Sequence, residues 1–283
     1  MDDSLKLYHY TKVDTLLRYI LPGLKLRMNS LINSNDPTEL LLAETMAGSN
    51  SVGDRLLDVK SLSFCADGDG ATSLRGYEIQ PMWVSCAECW GGVCLEIDYY
   101  KLIANNLKII GRHNVRHKRM VYADSSHKSG EILENFLRMN ARRKSVELDE
   151  YVQSLLNNSN FVDERFFTKD RSWSYEQEFR FIALENYDED VVFNLEGAVT
   201  AIILGSRFNV QLYPIIRDLV KEHGMDPDVI RKGAIDVKGC INELETYKSH
   251  YRANKVSAKK QKKKELDEEI LNCIRDVQKS LLR

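Results

Sequence analysis

Residues 173–184 read WSYEQEFRFIAL, a polar, aromatic-rich lead-in that carries two carboxylates, Glu176 and Glu178, and runs directly into an apolar strand. Residues two apart on a strand project to the same face. A chain already extended before Glu176 therefore sets the two carboxylates side by side, with Arg180 next along that face. The plain alternative is an edge strand whose wet face carries a Glu–Glu–Arg ladder, an arrangement of small energetic consequence. The two readings differ in what flanks the strand, so the surrounding sequence has to separate them.

On the C-terminal side follow a strand at 191–195, a buried strand at 199–205, an amphipathic helix over 210–223 and a strand near 234–237. On the N-terminal side, residues 161–169 read as a helix and 117–123 as a strand. Between these, 131–156 is a long helical region with apolar positions from Ile132 to Leu155 and a basic face of the solvated kind. Further back, SLSFCA at 61–66 alternates as a strand. Residues 81–90 make a short helical or turn segment, and 93–99 is a strand with Val93, Leu95 and Ile97 on one face. The opening is strand, helix, strand: residues 7–11, then 12–20 with Thr11 and Asp14 as a capping box, then Leu24, Leu26 and Met28 in alternation after Pro22-Gly23. Asn33 to Pro37 form a turn that opens a further helix. This mixture of short strands and helices is an α+β pattern.

The composition agrees. A chain of 283 residues, 43% hydrophobic with 5 prolines, buries a sizeable core, and a formal charge of −2 gives no global attraction to nucleic acid or membrane. No apolar run approaches the roughly 20 residues of a membrane span, and MDDSLKLYHY has no signal-peptide pattern, so the expected location is the cytoplasm, with no membrane partner. The six cysteines form no disulfide framework. Cys86 and Cys89 make a CxxC without the second ligand pair a structural zinc site needs, so free thiols are expected. Two parts are expected: a globular domain over 1–240, and a basic amphipathic helical tail over 241–283. The tail carries KKQKKK at 259–264 and apolar residues at helical spacing from Leu266 to Leu281. Such a tail packs on the domain or pairs with a second copy in a homodimer.

Five segments together carry a resemblance: LYHYT at 7–11, SNDPTE at 34–39, LSF at 62–64, PMWVSCAE followed by GGVCLEID at 81–98, and W-x-x-E-x-E-F-R at 173–180. In this order they resemble a bacterial family catalogued as domain of unknown function 2971, over roughly residues 5–240. That family in turn resembles the ADP-ribosyltransferase superfamily, which implies a split mixed β-sheet core with flanking helices and NAD as substrate. By the same resemblance His9, with Tyr10 and Thr11 beside it, Ser85 and Arg180 would bind NAD, and Glu178 would be catalytic. Where poly-ADP-ribose polymerases place a tyrosine that stacks on nicotinamide, this chain has Cys89-Trp90, so Trp83 and Trp90 are the candidates for that stacking.

The residue types suit the chemistry. Breaking the nicotinamide–ribose bond builds an oxocarbenium-like centre, so a carboxylate beside the ribose gains Coulomb energy as the charge develops. Glu178 would stabilise that cation, His9 would orient a ribose hydroxyl, and Glu176, if it shares the face, would activate an acceptor as general base. The superfamily analogy extends to a toxin-like effector in bacterial conflict or phage defence, with an unassigned protein or nucleic-acid acceptor. Two further readings stand beside this one. One is an inactive module of the same fold that binds nucleotide or a partner. The other is a nucleic-acid-binding protein using the lysine run, against which counts the lack of base-stacking aromatics among those lysines.

Overall fold

The computed structural model describes residues 5–31, 36, 59–68, 74–124, 145–185 and 189–232, leaving aside the side chains of 145–149 and 151. The expected tail, its lysine run and the strand near 234–237 lie outside the described residues, as do most of SNDPTE and the first half of the helical region at 131–156. In chain order the strands are β1 (Lys6–Thr11), β2 (Lys25–Arg27), β3 (Asn29–Ser30), β4 (Lys60–Ala66), β5 (Val93–Asp98), β6 (Val115–Arg119), β7 (Val121–Ala123), β8 (Thr168–Asp170), β9 (Glu178–Ala183), β10 (Val192–Asn194), β11 (Val199–Leu204) and β12 (Ile230–Lys232). The helices are α1 (Val13–Thr15), α2 (Gln80–Ser85), α3 (Tyr99–Arg112), α4 (Ser145–Asn157), α5 (Ser159–Phe166) and α6 (Tyr213–Glu222).

The main sheet is mixed and runs β12-β11-β5-β1-β4-β9-β6, with β3 added beside β4; β2 pairs with β10 and β7 with β8 in two small ribbons. β9 is therefore an inner strand, hydrogen-bonded to β4 on one side and β6 on the other, and each of its residues is buried. This overturns the edge-strand ladder: a strand covered on both faces reads as a nearly continuous apolar run, which FRFIAL is. The sheet also parts locally. β1 pairs with β4 only through Leu7 with Ala66 and Tyr8 with Cys65, while β3 takes the other half of β4 through Ser61 and Lys60.

Register assigns the two faces. Leu7, Phe64, Leu95, Phe181 and Ile202 share one face, in a single apolar cluster with Leu16 and Ile20, Leu102 of α3, and Ile216 and Val220 of α6. The opposite face is divided. At one end Tyr8, Tyr10, Cys65, Cys94 and Ile203 cluster with Ile79, Trp83 and Ala87 of α2 and its flanks. At the other end Ile182 clusters with Val152 and Leu156 of α4 and Val162 and Phe166 of α5. Between the two clusters, on the same face, lie Glu178 and Arg180 of β9 and Ser63 of β4. A polar seam thus separates two apolar cores.

Local expectations fail at two places and the local pattern is silent at a third, each for a tertiary reason. Thr11 does not cap the first helix, because it is buried in the β1–β5 ladder opposite Val93. The N-cap is Lys12, without a side-chain cap, and the helix widens to a π-turn over Leu16–Ile20. The helix expected over 161–169 ends at Phe166, where Thr168 Oγ1 donates to the Asp163 carbonyl and the chain enters β8 alongside β7. β12, with the short sequence IRK, has no pattern of its own and owes its conformation to parallel pairing with β11.

Candidate functional site

Strand β9 begins at Glu178, not before Glu176. Residues Arg171–Glu176 form a 3₁₀ turn, opened by Asp170 accepting from the Ser172 amide, and Gln177 then adopts a left-handed conformation with φ 46° and ψ 43°. Glu176 and Glu178 are consequently not strand neighbours on one face, as the expectation required; they meet through a third residue. Lys169 Nζ lies 2.8 Å from Glu176 Oε2 and 2.9 Å from Glu178 Oε2. Arg180 grips Glu178 in a fork, Nε to Oε1 at 2.6 Å and Nη2 to Oε2 at 3.1 Å, and gives Nη1 to the Phe166 carbonyl at 3.1 Å. The Glu178 amide donates to the Tyr122 hydroxyl at 2.8 Å.

Two carboxylates, one ammonium and one guanidinium balance in charge, and each ion is paired, as a buried ion must be. Their protonation is nevertheless pushed in opposite directions. Burial alone raises the Glu178 carboxyl, but Arg180, Lys169 and the Ser63 hydroxyl outweigh it and hold it down at about 2. Glu176 has its carboxyl raised: burial dominates there, and Lys169 offsets it only in part. Glu178 is 3% exposed and Arg180 2%, whereas the Glu176 side chain is 14% exposed. Glu178 is thus ionised at neutral pH with both oxygens engaged by cations, and Glu176, less buried and with its carboxyl raised, is the better placed of the two to exchange a proton.

The sheet brings some of the expected residues to this seam and keeps others away. Ser85 is exposed on α2, which packs against the 3₁₀ turn; its Oγ donates to the Pro81 carbonyl at 2.9 Å and touches Cys86 Sγ at 3.4 Å. Tyr10 is on the same face but buried, donating to the Gly76 carbonyl at 2.8 Å and standing edge-on to Trp83. Trp83 is 1% exposed, with its indole N–H given to the Tyr77 carbonyl and Trp90 stacked on it at 5.3 Å. That pair is packing in α2 and the turn after it, where Glu88, Cys89 and Trp90 all have positive φ. His9 and Thr11 project from the other face. Tyr8 stands opposite Cys65, and Cys65 opposite Glu178, so His9 belongs with Phe64, whose ring it meets at 5.7 Å. His9 Nδ1 reaches the Ser63 carbonyl at 3.3 Å where β1 and β4 part, and burial lowers its pKa against that bond. His9 and Glu178 do not converge.

Residues 82–181 match the family model described as Protein of unknown function (DUF2971). The match opens in α2 and closes inside β9, so it takes in Lys169, Glu176, Glu178 and Arg180 and leaves out β1 with His9. It supports the resemblance to that family over those residues. No curated protein and no solved structure matches the chain.

Sequence reading missed several members of the cluster. Lys169 reads as a helix end, Tyr122 sits in a three-residue strand, and Ser63 lies in β4, whose alternating pattern carries no mark of a site. Trp173 and Tyr175 belong to the aromatic lead-in, whose sequence alone assigns them no role; their rings lie 6.1 Å apart, and Lys169 Nζ is 5.4 Å from the Trp173 ring centre. Asp36, from SNDPTE, is buried, and its charge reaches the Tyr175 hydroxyl together with those of Glu176 and Lys169. Among the described residues, no group of three or more His, Cys, Asp or Glu side chains could hold a metal ion, the four cysteines are free, and no helix is long and apolar enough to cross a membrane.

Proposed function

We propose that the chain consumes NAD, as an ADP-ribosyltransferase or NAD glycohydrolase, at the seam formed by Lys169, Glu176, Glu178 and Arg180. The observation that carries this is the opposite tuning of two carboxylates that share one ammonium: one fixed as an anion, one able to take a proton. As the bond between nicotinamide and ribose breaks, its electron pair leaves with the nicotinamide. Glu178 then meets the positive charge left on the ribose, and Glu176 accepts the proton of the incoming acceptor. His9, on the far face, has no part in this reading.

A second reading is favoured by the same cluster. Both Glu178 oxygens are already held by cations, which suits an inactive module that binds nucleotide or a partner without turnover. Nicotinamide release, measured beside NAD binding on the full chain with cell extract present, separates the two. The enzyme reading expects release by wild type. It expects Glu178→Asp, which keeps the charge but shortens its reach, to lose roughly 10²-fold or more in turnover while binding persists. Glu176→Gln spares hydrolysis and lowers transfer to an acceptor. Binding without release by wild type would leave the inactive module.

A further inference from the structure

Tyr175 is 38% exposed, while Trp83, one of the sequence's two candidates for stacking, is sealed inside the protein and Trp90, the other, is stacked on it. The 3₁₀ turn Arg171–Glu176 carries Trp173 and Tyr175 two residues apart and ends at Glu176, so the two rings adjoin the charged seam. The rings are tilted by 33° with centres 6.1 Å apart, which leaves them unstacked on each other. Lys169 Nζ, the ammonium that bridges the two carboxylates, also lies 5.4 Å from the Trp173 ring centre and ties that ring to the seam. Glu176, Lys169, the Cys86 thiol and Asp36 are all close enough to bias the Tyr175 hydroxyl. Rings, the partly exposed Glu176 carboxylate and a set of charges without positive surplus therefore meet at one place.

We infer that Trp173 and Tyr175 form a stacking platform for the planar nitrogen heterocycle of a nucleoside, whose sugar hydroxyls point toward Glu176. The charge balance selects this class. Two carboxylates against Lys169 and Arg180 leave no surplus positive charge to draw a free polyphosphate, whereas a heterocycle gains from the ring faces whatever its substituents. Neutral adenosine and cationic nicotinamide riboside both satisfy that chemistry, and they represent the two ends of a dinucleotide. The inference rests on the proposed site but not on turnover.

The test is titration of the full chain with adenosine and with nicotinamide riboside, followed by tryptophan fluorescence and by ligand-detected NMR. Wild type is expected to bind at least one of them. Tyr175→Ala and Tyr175→Leu are expected to weaken binding by roughly tenfold or more, because leucine restores apolar area but no ring, while Tyr175→Phe stays within about threefold. Tyr19→Ala, at another exposed ring, is expected to change nothing. Stronger binding of nicotinamide riboside assigns the platform to the nicotinamide end, and stronger binding of adenosine to the adenine end; either supports it. Absence of binding by wild type at millimolar nucleoside, or binding unchanged in Tyr175→Ala and Tyr175→Leu, overturns the platform. Nucleoside binding that depends on the Tyr175 ring without nicotinamide release sinks the enzyme reading alone, and nicotinamide release indifferent to Tyr175 sinks the platform alone.

Discussion

Gln177 shows at the residue scale what it takes to assemble the cluster. A left-handed conformation costs a non-glycine residue roughly 1–2 kcal/mol, and Gln177 also buries a side-chain oxygen that has no hydrogen-bond partner among the described residues. Both costs fall between the two carboxylates, where the chain must turn from a 3₁₀ helix into a strand. Gln177→Gly should therefore be neutral or stabilising by up to about 1 kcal/mol, and Gln177→Val should destabilise by more than that, as read by chemical denaturation. Glu178→Gln is a different kind of change, because it leaves Arg180 and Lys169 buried with one counter-charge fewer; a loss of about 3–5 kcal/mol is expected. The acid limb follows from the sign of the shifts. Glu178 is depressed from 4.5 to about 2, so its contribution is complete above pH 4.5 and drains away as pH falls toward 2. Glu176 is raised, so its ionisation in the fold counts against stability at neutral pH, and that penalty is relieved as pH falls through its folded pKa. Acid unfolding of Glu178→Gln should lack the wild-type loss between pH 4.5 and 2; an unchanged acid limb would mean that Glu178 is not held by its cations.

At the scale of elements, the apolar strands were legible and the connections were not. β1, β4, β5, β9 and β11 each contain an alternating or continuous apolar run, and their burial follows that pattern. β9 repays its inner position through Phe181, which is fully buried and meets Phe64 and Phe193 edge-on and His117 face-on. Phe181→Ala should cost about 3–5 kcal/mol of unfolding free energy. A cost below about 1 kcal/mol would show that β9 does not lie in the middle of the sheet. β8 and β12 were illegible for a common reason: three residues of mixed polarity have no period, and only pairing with β7 and β11 makes them strands. β8 matters most, because it is the element that presents Lys169.

For the whole molecule, the decisive quantity is parity. The resemblance read from the sequence pairs His9 with Glu178, yet which face each occupies depends on the register of β1 against β4 and of β4 against β9, and one residue of difference sends a side chain through the sheet. The register found here sets Glu178 in the seam between two apolar clusters and His9 behind it. His9→Ala should then leave nucleoside binding within about twofold of wild type while costing roughly 1 kcal/mol of stability for the lost Ser63 bond; a collapse of binding would restore His9 to the site. The division of labour between the two carboxylates is the claim on which the rest depends, and carbon-13 NMR titration of the glutamate carboxyls in the full chain, assigned with Glu176→Gln and Glu178→Asp, reads it directly. Glu178 should ionise near 2 and Glu176 above 4.5, whereas two ordinary titrations close to 4.5, or Glu178 ionising above Glu176, would contradict it.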